Sequence, residues 1–331
     1  MIRHRSLPIT APVGLREIGE PSDRLAKQRS LWSDALHRLL RNKLSVFGLF
    51  VLSLFVIAAI FGPMLAPYDF LKQDTNAALQ GPSWDHWLGT DALGRDIFSR
   101  LLYGARTAAF VALIATPVAL TIGVTFGTIA GFFGGRIDGF IMWITDITMS
   151  IPGLLLAMLV TTALSHPIQT WFDDRYEKTR NTFYLNTMWL EFVLVFGALA
   201  LISWPEYARL IRSQVLTIGE MPYVEAARSI GTSTGTIMRR HIVPNALGPI
   251  VVAVTQGLGG AILLESSLSF VGVGVQPPNA SWGSMLSDSL SLWSTNPHLM
   301  IAPAATIGII QIAFIFVGDG LNDALNPKQV K

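Results

Sequence analysis

Residues 44–66 read LSVFGLFVLSLFVIAAIFGPMLA and contain no charged side chain. A helix needs about 20 apolar residues to cross a hydrocarbon core of ~30 Å, so this stretch is long enough to span a membrane. A cleavable signal peptide would be shorter and closer to the N-terminus, whereas a long polar segment precedes this run. The sequence therefore predicts a first transmembrane helix, with residues 1–43 retained in front of it.

Five further apolar segments follow the first. They are 107–133, 139–164, 187–209, 246–273 and 299–318. Hydrophobic residues make up 51% of the chain and charged residues only 14%, against about 25% charged residues in typical soluble domains. Because unpaired backbone groups are not tolerated against lipid, each span must be helical. The expected fold is an all-α polytopic membrane protein with six transmembrane helices.

Positive charge predicts the orientation of these spans. Seventeen of the 24 Lys and Arg residues lie in 1–43, 134–138, 207–245 and 319–331. Since cytoplasmic loops carry the excess of positive charge, both termini and the 207–245 segment are predicted to be cytoplasmic (N-in/C-in). The predicted organisation starts with a cytoplasmic tail over 1–43, a first span over 44–66 and an extracytoplasmic loop over 67–106. A membrane core over 107–318 follows, with a cytoplasmic loop at 212–245. A cytoplasmic tail over 319–331 ends the chain.

The end of the N-terminal tail has a helical pattern of its own. Over residues 24–43, apolar side chains recur at helical spacing among basic ones. This pattern is typical of an amphipathic helix that lies against anionic lipid headgroups, so membrane lipid is an expected partner.

A polar island separates the fourth and fifth spans. It contains Glu225-Ala226-Ala227-Arg228 and then Gly231, in a stretch without proline between Pro222 and Pro244. The helix dipole favours a carboxylate in the first turn after Pro222, and Gly231 permits a sharp turn. From these residues alone, the stretch is either a short helix that docks on a partner protein or an ordinary capped loop.

Several activities are excluded or disfavoured by composition. The chain has no cysteine, which excludes disulfides, thiolate metal sites and cysteine nucleophiles. A Gly-Lys dipeptide occurs nowhere, so the G-x-x-x-x-G-K-[ST] loop that holds nucleotide phosphates is absent. The six histidines are scattered without a metal-binding pair, and a net charge of +2 gives no reason to expect nucleic-acid binding. No cofactor is expected on this chain.

Motifs dispersed along the chain resemble those of one family. They are Trp87-Leu88-Gly89-Thr90-Asp91, Gly134-Gly135-Arg136-Ile137-Asp138, Ser150-Ile151-Pro152, Glu225 to Gly231 with His241 and Pro244, Leu264-Glu265 to Gly272, and Gly318-Asp319-Gly320-Leu321. In this order they resemble the C-type permease subunit of dipeptide and oligopeptide ABC importers, and the island resembles the EAA loop of that family. The resemblance implies a type I ABC-importer permease fold in a prokaryotic plasma membrane.

The resemblance also implies partners and residue roles. The chain would pair with a homologous B-type permease, two ATPase subunits that use ATP and Mg, and an extracytoplasmic solute-binding protein. In the EAA loop, Glu225 would be the polar anchor in the ATPase and Ala226 and Ala227 its close-contact face. Gly231 would supply the turn that ends the short helix. The flanking contacts would come from Arg228, Arg239, Arg240 and the Pro244 region. Relatives with this pattern carry peptides, nickel complexes, glutathione or sugars, so nickel and glutathione remain alternative cargoes.

Two acids lie inside the predicted spans. Asp146 and Glu265 occupy apolar surroundings, where an ionised carboxylate is costly and commonly functional. Each is either part of a substrate or proton pathway or a buried structural group bonded to a neighbouring helix. An ion-coupled secondary transporter that uses both acids is the alternative from another class.

One predicted outer loop departs from the family pattern. Residues 165–188 are longer than the resemblance leads us to expect and contain Asp173-Asp174-Arg175. The sequence gives this loop no role.

Overall fold

The computed structural model describes residues 31–185, 188–276 and 278–325. Residues 1–30 and 326–331 of the two predicted tails, residues 186–187 and Pro277 lie outside the described residues. The first six α-helices along the chain are α1 (Leu31–Arg41), α2 (Lys43–Leu65), α3 (Ile97–Phe133), α4 (Gly135–Ser150), α5 (Gly153–Thr179) and α6 (Met188–Gly219). After these come α7 (Pro222–Ser229), α8 (Thr234–Ile237), α9 (Val243–Phe270), α10 (Trp282–Ser289) and α11 (His298–Leu325).

Six of these helical stretches are long and apolar enough to cross a membrane. They are Lys43–Leu65, Ile97–Phe133, Gly153–Thr179, Phe192–Gly219, Thr234–Phe270 and His298–Leu325. No β-strand occurs among the described residues, whose only bridge joins Thr90 to Asp96. The predicted all-α fold with six spanning helices is confirmed, whereas the N-in/C-in orientation stays a prediction.

The bounds of several predicted segments change, among them those of the outer loop to residue 106 and of the third span. Helix α3 begins at Ile97, inside the segment predicted as an outer loop to residue 106. The predicted third span, 139–164, is divided between α4 and α5, because Ile151 is extended and Pro152 precedes the new helix. Proline lacks an N–H group and disfavours helical geometry in the residue before it, which explains the break. Asp146 consequently lies on α4, outside the six helices long enough to span.

A close contact between α3 and α6 forms the centre of the fold. Glycines recur every four residues along one face of α3, at Gly123, Gly127 and Gly131. A side chain at Gly127 would collide with the backbone carbonyl of Ala208, and one at Gly123 with Tyr207. Small residues at this spacing let two helix backbones approach in a membrane, where packing rather than the hydrophobic effect drives association.

Residues 31–41 of the predicted amphipathic segment 24–43 form α1, and its residues 24–30 lie outside the described residues. Its Ala35 and Leu39 are buried while Leu36 and Leu40 are exposed, so it presents apolar groups on two sides. Leu39 and Ser45 approach Gly320 of α11, which ties α1 to the last helix. The proposed contact of α1 with lipid headgroups stays a prediction.

The segment between α2 and α3 is held by ion pairs. Asp91 accepts hydrogen bonds from Arg95 Nε and Arg100 Nη1, both at 2.6 Å. Arg95 and Arg100 also reach Asp288 of α10, at 3.3 and 3.5 Å. Asp96 caps α3 by accepting from Ser99 N at 2.8 Å. This network joins the segment to the two helices α3 and α10.

Candidate functional site

Helix α7 carries the first half of the polar island. Pro222 occupies its first turn, where the missing N–H group costs no hydrogen bond, and Glu225 follows in the same turn. Glu225 and Arg228 are exposed, whereas Val224 is fully buried. Below α7 lies an apolar cluster made of Ile211, Val215, Ile218, Val224, Ala227, Ile237, Ile242 and Ala246. The charged side chains of α7 are therefore displayed from a packed base.

The two alanines of the motif face different ways. Ala226 is exposed, but Ala227 is only 8% exposed and belongs to the cluster beneath the helix. The contact of both alanines with a partner stays a prediction, although only Ala226 is exposed in this chain by itself. The small size of Ala227 lets α7 lie close to α6 and the start of α9.

Gly231 ends α7 in a left-handed conformation, with φ of +76°. Its N–H donates to the Arg228 carbonyl at 2.9 Å, and Thr232 N–H donates to the Ala227 carbonyl at 3.0 Å. This pair of bonds is a Schellman motif, which satisfies carbonyls at a helix end. No atom lies within 4 Å of where a Cβ would be, so backbone conformation rather than space favours glycine here.

Two arginines line an open cleft formed by α8 and the turn that follows it. Arg239 and Arg240 lie on a π-helical turn, Met238–Ile242, between α8 and α9. With Ser233, Gly235 and Thr236 they border a cleft of about 530 Å³. Pro244 is exposed in the first turn of α9. We call the exposed residues from Pro222 to Pro244 the 222–244 surface.

The π-helical turn is not predicted by the sequence. It adds one residue within a run that reads as continuous helix, and π-turns are frequent at functional sites.

Helix α4 is attached to α6 by two ion pairs. Arg212 binds Asp138 through two nitrogens, at 2.5 and 2.6 Å. Arg209 donates to Asp146 at 2.8 Å, with the Asp146 side chain 67% exposed. Asp146 is therefore bonded to an arginine on a neighbouring helix but is not buried, and its two predicted roles stay predictions.

Glu265 is the buried acid, 1% exposed near the end of α9. Its Oε1 accepts from Ser269 Oγ at 2.7 Å and from Ser281 Oγ at 2.9 Å, and Oε2 accepts from Ser266 Oγ at 3.4 Å. Since Ser281 precedes α10, the carboxyl group joins the ends of two helices. The described residues give Glu265 and Asp146 no shared partner.

The described residues hold no group of three or more His, Asp or Glu side chains placed to bind a metal ion.

Six spanning helices with a polar surface between two of them define a multi-span membrane protein. Comparison with family models places residues 123–331 in the family of binding-protein-dependent transport system inner membrane components. Residues 30–82 match the N-terminal TM domain of oligopeptide transport permease C. The chain belongs to this permease family.

Three relatives that are similar over nearly the whole chain are permease proteins named for different transport systems. The oligopeptide transport system permease protein OppC of Bacillus subtilis is 39% identical over 302 residues, 91% of each chain. The dipeptide transport system permease protein DppC of Alkalihalophilus pseudofirmus is 38% identical over 299 residues, 90% of each. The glutathione transport system permease protein GsiD of Pectobacterium atrosepticum is 38% identical over 302 residues, 91% of this chain and 92% of its own.

Proposed function

We propose that this chain is the C-type permease subunit of an ATP-driven importer for peptides in a prokaryotic plasma membrane. It forms half of the translocation pathway and pairs with a homologous B-type permease. Support comes from the family, whose members serve binding-protein-dependent transport, and from relatives named for dipeptides and oligopeptides at 38–39% identity. A relative named for glutathione is almost as similar, so glutathione, nickel or another small solute is the alternative cargo.

The 222–244 surface is the proposed site for an ATPase subunit. The observation that carries this proposal is the exposure of Glu225, Arg228, Arg239 and Arg240 on a base packed between α6 and α9. Because the apolar cluster joins the surface to both helices, a push on α7 moves them as one body. Glu225 is the anchor, and Ala226 lies beside it on the exposed side of the helix.

The energy for transport comes from ATP bound by the partner ATPase subunits. This sequence has no phosphate-binding Gly-Lys loop, so two separate ATPase subunits bind ATP and Mg. ATP binding closes the ATPases, the 222–244 surface moves with them, and the spans alternate between inward-open and outward-open states. An extracytoplasmic solute-binding protein delivers cargo to the opposite side, which requires both termini of this chain to be cytoplasmic.

Co-purification tests the docking surface. Tagged wild-type chain is compared with Glu225→Arg and, as a matched control, Glu177→Arg, which makes the same charge change at an exposed position on α5. We expect wild type and the control to bring down an ATPase and a second permease. Glu225→Arg is expected to keep the permease and to lose most of the ATPase.

Two outcomes of the co-purification would contradict the proposal. If Glu225→Arg retains the ATPase at the wild-type level, the 222–244 surface is not the docking site. If the wild-type chain purifies without an ATPase, the importer assignment fails as well.

A further inference from the structure

A cleft of about 360 Å³ lies between α5, α6 and the turn that follows α9. Helix α5 contributes Thr161, Thr162, Ser165 and Gln169 to its lining, and residues 272–276 form the wall opposite. Small-ligand sites commonly have volumes of about 300–1,000 Å³, so this cleft is large enough for part of a small solute.

The cleft lies far from the 222–244 surface. Helix α6 runs toward that surface and ends at Gly219, whereas α9 starts beside it and ends at Phe270. The cleft is lined by Leu194 and Val195 near the start of α6 and by the turn after the end of α9. It therefore opens near the membrane side opposite to the proposed ATPase site, where an importer receives its cargo.

The lining offers hydrogen bonds without charge. None of the ten described residues around the cleft is acidic or basic. The Ser165 hydroxyl donates to the Thr162 carbonyl at 3.0 Å, which leaves its oxygen able to accept. Gln276 donates through Nε2 to the carbonyls of Gly272 and Gly274, at 2.8 and 3.3 Å, which leaves its Oε1 as an acceptor. Neutral donors and acceptors of this kind suit amide groups better than a charged terminus.

Hydrogen bonds to the end of α9 hold the turn that forms this wall of the cleft. Gly272 has φ of +87°, and the N–H groups of Val273 and Gly274 both donate to the Leu268 carbonyl, at 3.0 and 3.1 Å. Val275 N–H donates at 2.9 Å to Ser269 Oγ, which itself donates to Glu265. The buried carboxyl group is therefore a positioning residue for this wall.

The opposite wall uses the segment whose role the sequence leaves open. Residues 165–179, predicted as the start of an outer loop, continue α5 as helix and place Ser165 and Gln169 at the cleft. Beyond them the rings of Phe172 and Tyr184 pack at 5.7 Å, which holds the end of α5 against the following turn. The added length of α5 thus completes the cleft.

We propose that this cleft is a substrate-contact site that hydrogen-bonds the backbone amide groups of a peptide on its way into the pathway. The proposal rests on the proposed peptide-import function and adds a recognition step within the permease itself. Gln169 and Ser165 are the groups that contact the peptide.

The test uses the whole transporter in proteoliposomes, with the solute-binding protein outside and ATP inside. The double variant Gln169→Leu, Ser165→Ala removes two neutral hydrogen-bonding groups. Gln73→Leu makes the same glutamine change on an exposed residue that does not line the cleft. The probe is a mixture of di- to pentapeptides, quantified by mass spectrometry, and ATP hydrolysis is measured in parallel.

We expect the double variant to lower peptide uptake about fivefold for each ATP hydrolysed, the effect of losing one or two ordinary hydrogen bonds. Gln73→Leu and the ATPase rate stimulated by the unloaded binding protein are expected to stay at the wild-type level. Unchanged uptake would overturn the proposal, and so would an equal fall in uptake and ATPase rate, which marks a role in docking or folding. If wild type takes up no peptide, the proposed function fails first and this inference with it.

Discussion

At the residue scale, hydrogen-bond partners distinguish the two acids that the sequence singles out together. Asp146 is exposed and pairs with Arg209, whereas Glu265 is buried among three serine hydroxyls. If a buried carboxyl group is removed, each hydroxyl that donated to it is left without a hydrogen-bond partner, at a cost of about 1–3 kcal/mol per hydroxyl. Glu265 therefore contributes to the join between α9 and α10 whether or not it also lies on a solute path.

Substitution at Glu265 separates a structural role from proton transport. Glu265→Gln keeps an acceptor for the serine hydroxyls, so we expect near-normal amounts of folded protein and near-normal uptake. Glu265→Leu leaves those hydroxyls unpaired and is expected to lower the melting temperature in detergent by several degrees. If Glu265→Gln folds normally yet abolishes uptake, the ionised carboxylate itself is required and the ion-coupled alternative gains support.

The turn at Gly231 gives a second prediction at this scale. Gly231→Ala must adopt a positive φ, which costs about 1–2 kcal/mol for a residue with a Cβ. We expect faster hydrogen exchange at the end of α7 and weaker ATPase co-purification. Gly139→Ala, exposed on α4 and outside the 222–244 surface, has neither a positive φ nor an atom near the added Cβ, so it is the control and is expected to behave as wild type. Equal behaviour of the two variants would show that the turn is not constrained as described.

At the element scale, hydropathy predicts most of the spanning helices but not their ends. It places the start of α3 in a loop because Arg100 and Arg106 interrupt the apolar run. Arg100 is compensated by Asp91, a partner that cannot be identified from local sequence. The break before α5 is not predicted either, since Pro152 is tolerated within many spans and hydropathy does not distinguish a kink from an end.

The sequence also predicts only part of the candidate site. The position of the polar island and its terminal glycine can be predicted from spacing, because Pro222 and Gly231 have strong local preferences. The burial of Ala227 depends on α6 and α9, which meet only in the folded chain. One serine partner of Glu265 is visible in Glu265-Ser266-Ser267-Leu268-Ser269, where i,i+4 spacing places Ser269 beside the acid.

The contact between α3 and α6 predicts a strong effect of added volume. Gly127→Leu would force the side chain into the backbone of Ala208, and overpacking of this kind costs about 1–3 kcal/mol or more. We expect loss of monodisperse protein in size-exclusion chromatography and a lower melting temperature. Gly197→Ala is the control, since Gly197 is exposed on α6 with no atom near the position that a Cβ would take, and its stability is expected to be unchanged. A stable Gly127→Leu protein would contradict the packing.

At the scale of the whole molecule, the two ends of the spanning bundle have different chemistry. One end carries the 222–244 surface with its exposed charges, and the other carries the neutral cleft between α5, α6 and the turn after α9. Helices α6 and α9 run between these ends, so movement imposed at one end reaches the other through continuous helix. This arrangement suits a subunit that receives force on one side and solute on the other.

This chain is proposed to move peptide with energy from partner ATPases. The direct measurement is peptide uptake into proteoliposomes that contain the complete transporter, with and without internal ATP, for wild type and Glu225→Arg. We predict uptake by wild type only with ATP and the solute-binding protein, and a severe loss of uptake in Glu225→Arg. Uptake by the purified chain alone, without ATP and driven by an ion gradient, would contradict the account.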